Sequence, residues 1–95
     1  MYAIAFDLDQ DMLEQTYHVP SYQNAYGDIK KALEAHGFTR QQGSVYFGND
    51  KINAVTCVTT VQKLAKEVPQ LMACVKDIRM LKIEEYNDLL SAIQN

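Results

Sequence analysis

The sequence is short of cysteine, glycine, proline and positive charge, and each shortage excludes a class of protein. Its two cysteines, Cys57 and Cys74, are too few for a disulfide framework and lack metal-ligand spacing, so reduced, partly buried thiols are expected. Four glycines, two prolines and no run of like charges leave no segment with the composition of a disordered tail or linker. No apolar run approaches the roughly 20 residues of a membrane span, and no basic leader-like stretch precedes the first apolar segment. A cytoplasmic protein with no membrane partner is expected. Nine Lys and Arg against twelve Asp and Glu give a net charge of -3 and a pI near 5.2, which excludes gripping nucleic acid by overall charge. Any contact with nucleic acid would rely on local basic patches and be weak or transient.

What is present describes an ordinary globular chain, 47% hydrophobic and 22% charged. Residues 1–95 suffice for one domain with a modest core, near the size at which a second subunit often supplies part of the stability, so a homodimer is expected.

The first strand is the most informative element. Side chains alternate faces along a strand, so in Ala3-Ile4-Ala5-Phe6-Asp7-Leu8-Asp9 the bulky Tyr2, Ile4, Phe6 and Leu8 share one face while Ala3, Ala5, Asp7 and Asp9 share the other. The stretch from Gln10 to Pro20 has no clean period and reads as a connection. Ser21 is a candidate N-cap for a helix whose apolar positions Tyr22, Ala25, Tyr26, Ile29, Ala32 and Leu33 recur at three and four until Gly37. Phe38-Thr39-Arg40-Gln41 and Ser44-Val45-Tyr46-Phe47-Gly48 read as a hairpin. Asn49-Asp50 offers a cap for a second helix over Lys51 to Val68, with Ile52, Val55, Val58 or Thr59, Leu64 and Ala65 as its stripe and Pro69 at its exit. Cys74 to Ile83 alternates as a fourth strand, and Glu84 to Asn95 supports a short amphipathic helix through Tyr86, Leu89, Leu90 and Ile93.

Strand, helix, strand, strand, helix, strand is an α+β, ferredoxin-like βαββαβ order, a split βαβ sandwich with a short C-terminal helix. It predicts the first and third strands side by side and parallel at the centre, the fourth antiparallel beside the first, and both helices on one face. Ile4, Phe6, Val45, Phe47, Ile78 and Met80 are then expected against the helices. Ala3, Ala5, Asp7, Ser44, Tyr46, Asp77 and Arg79 are expected on the open face.

The string Phe6-Asp7-Leu8-Asp9 resembles the start of a haloacid-dehalogenase-type phosphatase, but Gln10 and Asp11 follow where that signature wants Gly and Thr or Val, and the chain is too short for the doubly wound core. The better chemistry pairs Asp7 with Asp77 across adjacent strands. Two close carboxylates could hold a divalent ion with substrate phosphate, or one could act as a general base. The plainer reading is that Asp77 pairs with Arg79 and Asp7 only bonds a loop. Ser44 could touch a phosphate oxygen or merely complete a turn, and Tyr46 could stack a base or merely pack. His18 and His36 have no ligand-spaced partner, and His36 near a helix C-terminus complements the dipole there. Lys30, Lys31, Arg40, Lys76 and Arg79 are scattered cations, either a solvated face or the lining of a local RNA path.

Met1 to Asp9, Asn24-Ala25-Tyr26, Gly43 to Gly48, Asn53 to Cys57 and Asp77-Ile78-Arg79-Met80 together resemble the virulence-associated protein D (VapD) family over nearly the whole chain. The resemblance implies a bacterial endoribonuclease acting on single-stranded RNA, in some settings the toxin of a toxin-antitoxin pair with an antitoxin protein as partner. It further implies a ferredoxin-like homodimer related to the small CRISPR-associated nucleases, with Asp7 as leading catalytic residue and Ser44 and Asp77 in support. Tyr46 and Arg79 are the candidate substrate contacts, and Asp7 from both subunits the candidate Mg²⁺ ligand. The small Ala3 and Ala5 would let two open faces meet and bring both copies of Asp7 to the twofold axis. The rival expectation is a non-catalytic ferredoxin-like homodimeric binding or regulatory module in which Asp7 is structural.

Overall fold

The computed structural model describes residues 1–16 and 22–94 and, of residues 22 and 23, the backbone only. The expected Ser21 cap and His18 lie outside the described residues. The elements are β1 (Tyr2–Leu8), α1 (Gln10–Thr16), α2 (Tyr22–Ala35), β2 (Phe38–Gln42), β3 (Val45–Gly48), α3 (Ala54–Glu67), α4 (Pro69–Met72), β4 (Val75–Lys82) and α5 (Leu90–Ile93). The four strands form one sheet in the order β2-β3-β1-β4, the ferredoxin-like order, with the expected short C-terminal helix. Each neighbouring pair is antiparallel, including β1 with β3, which corrects the expected parallel centre. The reason is connectivity: the two-residue turn at Gly43-Ser44 reverses the chain between β2 and β3, which puts β3 antiparallel to β1.

Helix α2 buries Ala25, Ile29 and Leu33, spaced by four, and α3 buries Cys57, Thr60 and Leu64. All of these except Thr60 join Ile4, Phe6, Leu8, Phe38 and Tyr46 in one apolar core. The stripe on α3 is out of phase with the expected one: Val55 and Val58 are 70% and 51% exposed. Ile52 is buried but precedes the helix, whose cap is Asn53 rather than Asn49 or Asp50, its side chain accepting from the Thr56 amide at 2.8 Å. Asn49 instead accepts from the Lys51 amide at 2.9 Å and holds the turn before it. Gly37 ends α2 at φ +92°, the left-handed conformation that a helix C-terminus often takes and glycine adopts without strain.

Two helices arise where connections were expected. Asp9 accepts from the amides of Asp11 at 3.0 Å and Met12 at 3.1 Å, capping α1, while Leu13 is fully buried and anchors it. Pro69 begins α4 instead of only ending α3, as suits a residue with no amide to leave unpaired in a first turn. Both thiols are free and buried. His36 stands at the end of α2 with its ring nitrogen 3.3 Å from Glu67 at the end of α3.

Candidate active site

In an antiparallel pair, directly opposed residues project from the same face. Ile4 opposes Met80 and Phe6 opposes Ile78 toward the helices, so Ala5 with Arg79 and Asp7 with Asp77 share the other face. The parity expected for β1 and β4 is therefore observed. Asp7 and Asp77 are exposed and stand opposite each other. The register then slips, because Leu8 pairs with Val75 and Lys76 is left as an extra residue in β4. Such bulges bend a strand and re-aim its side chains, and this one lies immediately beside the two carboxylates.

The two acids differ in their surroundings. Arg79 Nε donates to Asp77 at 3.1 and 3.3 Å, the plainer of the two expected pairings. Both partners are well exposed, so the pair orients its groups more than it stabilises the fold. The Asp7 carboxylate makes no hydrogen bond or ion pair with any described residue. One site thus presents a free carboxylate, a neutralised one, and a guanidinium with donors left over.

β3 has the opposite phase to the one expected. Ile4 opposes Tyr46 and Ala5 opposes Val45, so Tyr46 faces the helices and Val45 and Phe47 face away. Tyr46 is 1% exposed and its ring stacks on Phe6, with centroids 6.0 Å apart. This corrects its placement beside Asp7 on the open face. Ser44 is half-buried in the turn before β3, where its carbonyl accepts from the Phe6 amide at 3.1 Å. It therefore lies at the Asp7 end of the sheet, next to Asp7 along the strand edge rather than directly across from it.

The open face is also less open than expected. Ala3 is fully buried between its cross-strand partners Phe47 and Leu81, and Tyr86 of the C-terminal segment packs edge-on against Phe47 at 5.1 Å. The half carrying Ala3 is covered, and the half carrying Asp7 remains accessible. Among the described residues no group of three His, Cys, Asp or Glu side chains could hold a metal. No helix of the described residues is long and apolar enough to cross a membrane.

Residues 1–89 match the family model described as CRISPR associated protein Cas2. The chain is 57% identical over 94 residues to a Helicobacter pylori protein named Endoribonuclease VapD homolog, covering 99% of this chain and 97% of that one. It is 54% identical over 93 residues to Endoribonuclease VapD 2 of Riemerella anatipestifer, covering 98% and 99%, and 40% identical over 94 residues to Endoribonuclease VapD of Dichelobacter nodosus, covering 99% and 98%. This chain belongs to the VapD family. Because the VapD relatives align along their full lengths, the strands bearing Asp7 and Asp77 fall inside the shared region.

Proposed function

We propose that this chain is an endoribonuclease that cleaves single-stranded RNA, with Asp7 as the acting carboxylate. The observation carrying this reading is the opposed pair of acids in which Arg79 occupies Asp77 and leaves Asp7 free. The names of the VapD relatives point to the same activity.

A carboxylate with a cation two residues from its cross-strand partner suits attack by the ribose 2′-hydroxyl. Asp7 takes the 2′-hydroxyl proton, the 2′-oxygen bonds to phosphorus, and the bond from phosphorus to the 5′-oxygen breaks, the leaving oxygen taking a proton from water. Arg79, held by Asp77, offers its remaining donors to the phosphate oxygens as charge builds on them, and Ser44 adds a hydroxyl at the same end of the sheet. The products are a 2′,3′-cyclic phosphate and a 5′-hydroxyl.

Magnesium ordinarily needs only one or two carboxylates beside water and substrate phosphate, and the free Asp7, with Asp7 from a second copy, fits that demand. When bound, the ion would supply a nucleophilic water and positive charge at the phosphate. The homodimer would bring both accessible half-faces together, and light scattering at micromolar concentration should give twice the monomer mass.

The test is cleavage of single-stranded RNA by parent and Asp7→Ala protein purified side by side, with product ends mapped and dimerisation checked in both. Loss of cleavage in an intact dimer supports the enzyme; equal cutting by both places the activity elsewhere; no cutting by the parent favours the non-catalytic binding module. A 5′-phosphate product that disappears with chelator would replace the 2′-hydroxyl route by metal-activated water. In the toxin-antitoxin setting, growth arrest on expression of the parent but not of Asp7→Ala, relieved by a neighbouring gene, would identify the toxin and its antitoxin protein.

A further inference from the structure

A concavity lies on the helix side of the sheet, lined by Tyr26, Gly27 and Lys30 of α2, Arg40 of β2, Gly43 of the hairpin turn and Tyr46 of β3. Tyr26 and Lys30 are four apart and therefore stack on one flank of α2, and Arg40 faces them from the sheet. Tyr46 is buried in the core, but its hydroxyl bonds to no described residue. Since no buried side-chain polar atom among the described residues lacks a partner, that hydroxyl is wetted by the cleft. Arg40, which lines the cleft, and Glu34, which does not, both act on it electrostatically.

The two glycines are the independent observation. A Cβ placed on Gly27 or on Gly43 would meet nothing within 4 Å, and neither residue has a positive φ. Neither packing nor backbone conformation calls for glycine at these positions, and in the interior of α2 Gly27 costs about 1 kcal/mol relative to alanine. Both bare backbones face the same cleft, as where a ligand must approach the chain closely.

We propose that this cleft is an RNA subsite that holds one backbone phosphate between Lys30 and Arg40 and seats the adjoining base on Tyr26. The inference rests on the ribonuclease reading and extends it to how substrate is gripped. The Gly43-Ser44 turn connects the two places: Gly43 lines the cleft, and Ser44 is bonded to Phe6, the residue before Asp7. A single strand running from Asp7, on the opposite face of the sheet, to the cleft would pass over this turn. Two local cations with an aromatic ring also account for RNA binding by a chain of net charge -3.

The experiment measures cleavage kinetics and fluorescence anisotropy with a labelled single-stranded oligoribonucleotide over a range of salt concentrations. It uses the parent, the double variant Lys30→Gln with Arg40→Gln, and Gly27→Leu, which fills the cleft without changing charge. Lys30 and Arg40 are exposed, and melting curves check that each variant folds. The double variant should raise KM and weaken binding roughly tenfold, the weight of one charge-assisted contact, at nearly unchanged kcat. Its salt slope should be shallower by about 0.7, the value for one phosphate on a single strand. Gly27→Leu should weaken binding similarly. A parent that binds and cuts RNA while folded variants match its KM and salt slope would refute the subsite and leave the ribonuclease standing. A parent that neither binds nor cuts RNA would overturn the ribonuclease reading and the subsite together.

Discussion

Asp7 on β1 and Asp77 on β4 are direct cross-strand partners, yet only Asp77 is held by a neighbouring guanidinium, Arg79 at 3.1 Å. On the proposed reading, the inequality gives two identical side chains different work. Asp7→Asn should leave the melting temperature unchanged and lower kcat/KM by about 10²- to 10⁴-fold, the range for loss of a general base. Asp77→Asn should cost less, on the order of tenfold to a hundredfold, because it acts by positioning Arg79. Arg79→Lys should not restore the full rate, since an ammonium lacks the fork that can hold Asp77 and meet phosphate together. Equal losses from Asp7→Asn and Asp77→Asn would mean that the acids act as one unit.

Asp9, two residues from Asp7, should behave in the opposite way. Its carboxylate is engaged by the amides of Asp11 and Met12 at the start of α1. Asp9→Ala should destabilise by about 1 kcal/mol, a fall in Tm of roughly 4–8 °C for a domain of this size, with kcat retained at temperatures well below the transition. A large loss of kcat in folded Asp9→Ala protein would instead put Asp9 in the chemistry.

The contrast between these acids shows what the sequence could reveal. On β1 bulky residues alternate with small or acidic ones, on β4 charged residues alternate with apolar ones from Asp77 to Met80, and the faces of Asp7, Asp77 and Arg79 could be read directly. In Val45-Tyr46-Phe47 all three residues are apolar, so alternation carries no phase, and the register of Tyr46 against Ile4 decides the matter. Helix α1 offered no period because it buries only Leu13 in seven residues. The stripe of α3 was displaced because Ile52 is buried ahead of the helix. The bulge at Lys76 and the packing of Tyr86 on Phe47 depend on contacts between distant segments, for which no local pattern exists.

Gly48 ends β3 where the chain turns back toward α3, and a Cβ there would lie 2.8 Å from Ile52 Cβ and 2.9 Å from its Cγ2. The obstruction is the root of a buried, β-branched side chain, which cannot swing aside as a flexible tip could. Gly48→Ala should therefore destabilise by about 1–3 kcal/mol, read as a lower denaturation midpoint at unchanged m-value. Adding Ile52→Ala should recover only part of the loss, since it removes Cγ1 and Cγ2 but leaves the Cβ, the closest of the three atoms. A Gly48→Ala protein as stable as the parent would show that β3 and the Ile52 turn can separate without cost.

Burial pushes the Tyr46 hydroxyl above its ordinary value of 10.0, with Arg40 opposing and Glu34 assisting, and burial alone pushes the Cys57 thiol above 9.0. Both groups are neutral when protonated, so the folded chain holds these protons to higher pH than the unfolded chain does. Above the ordinary values the unfolded state binds fewer protons, and stability must fall as pH rises. The contribution is complete below about pH 9 and is lost first through Cys57 and then through Tyr46. Chemical melts between pH 7 and 10.5 should show stability level at the start and declining beyond pH 9. Tyr46→Phe, which keeps the ring against Phe6, should flatten the decline near and above pH 10 while leaving the earlier part in place. A parent as stable at pH 10.5 as at pH 7 would mean that both groups ionise as easily in the fold as in the unfolded chain, and that the Tyr46 hydroxyl is better solvated than its buried ring suggests.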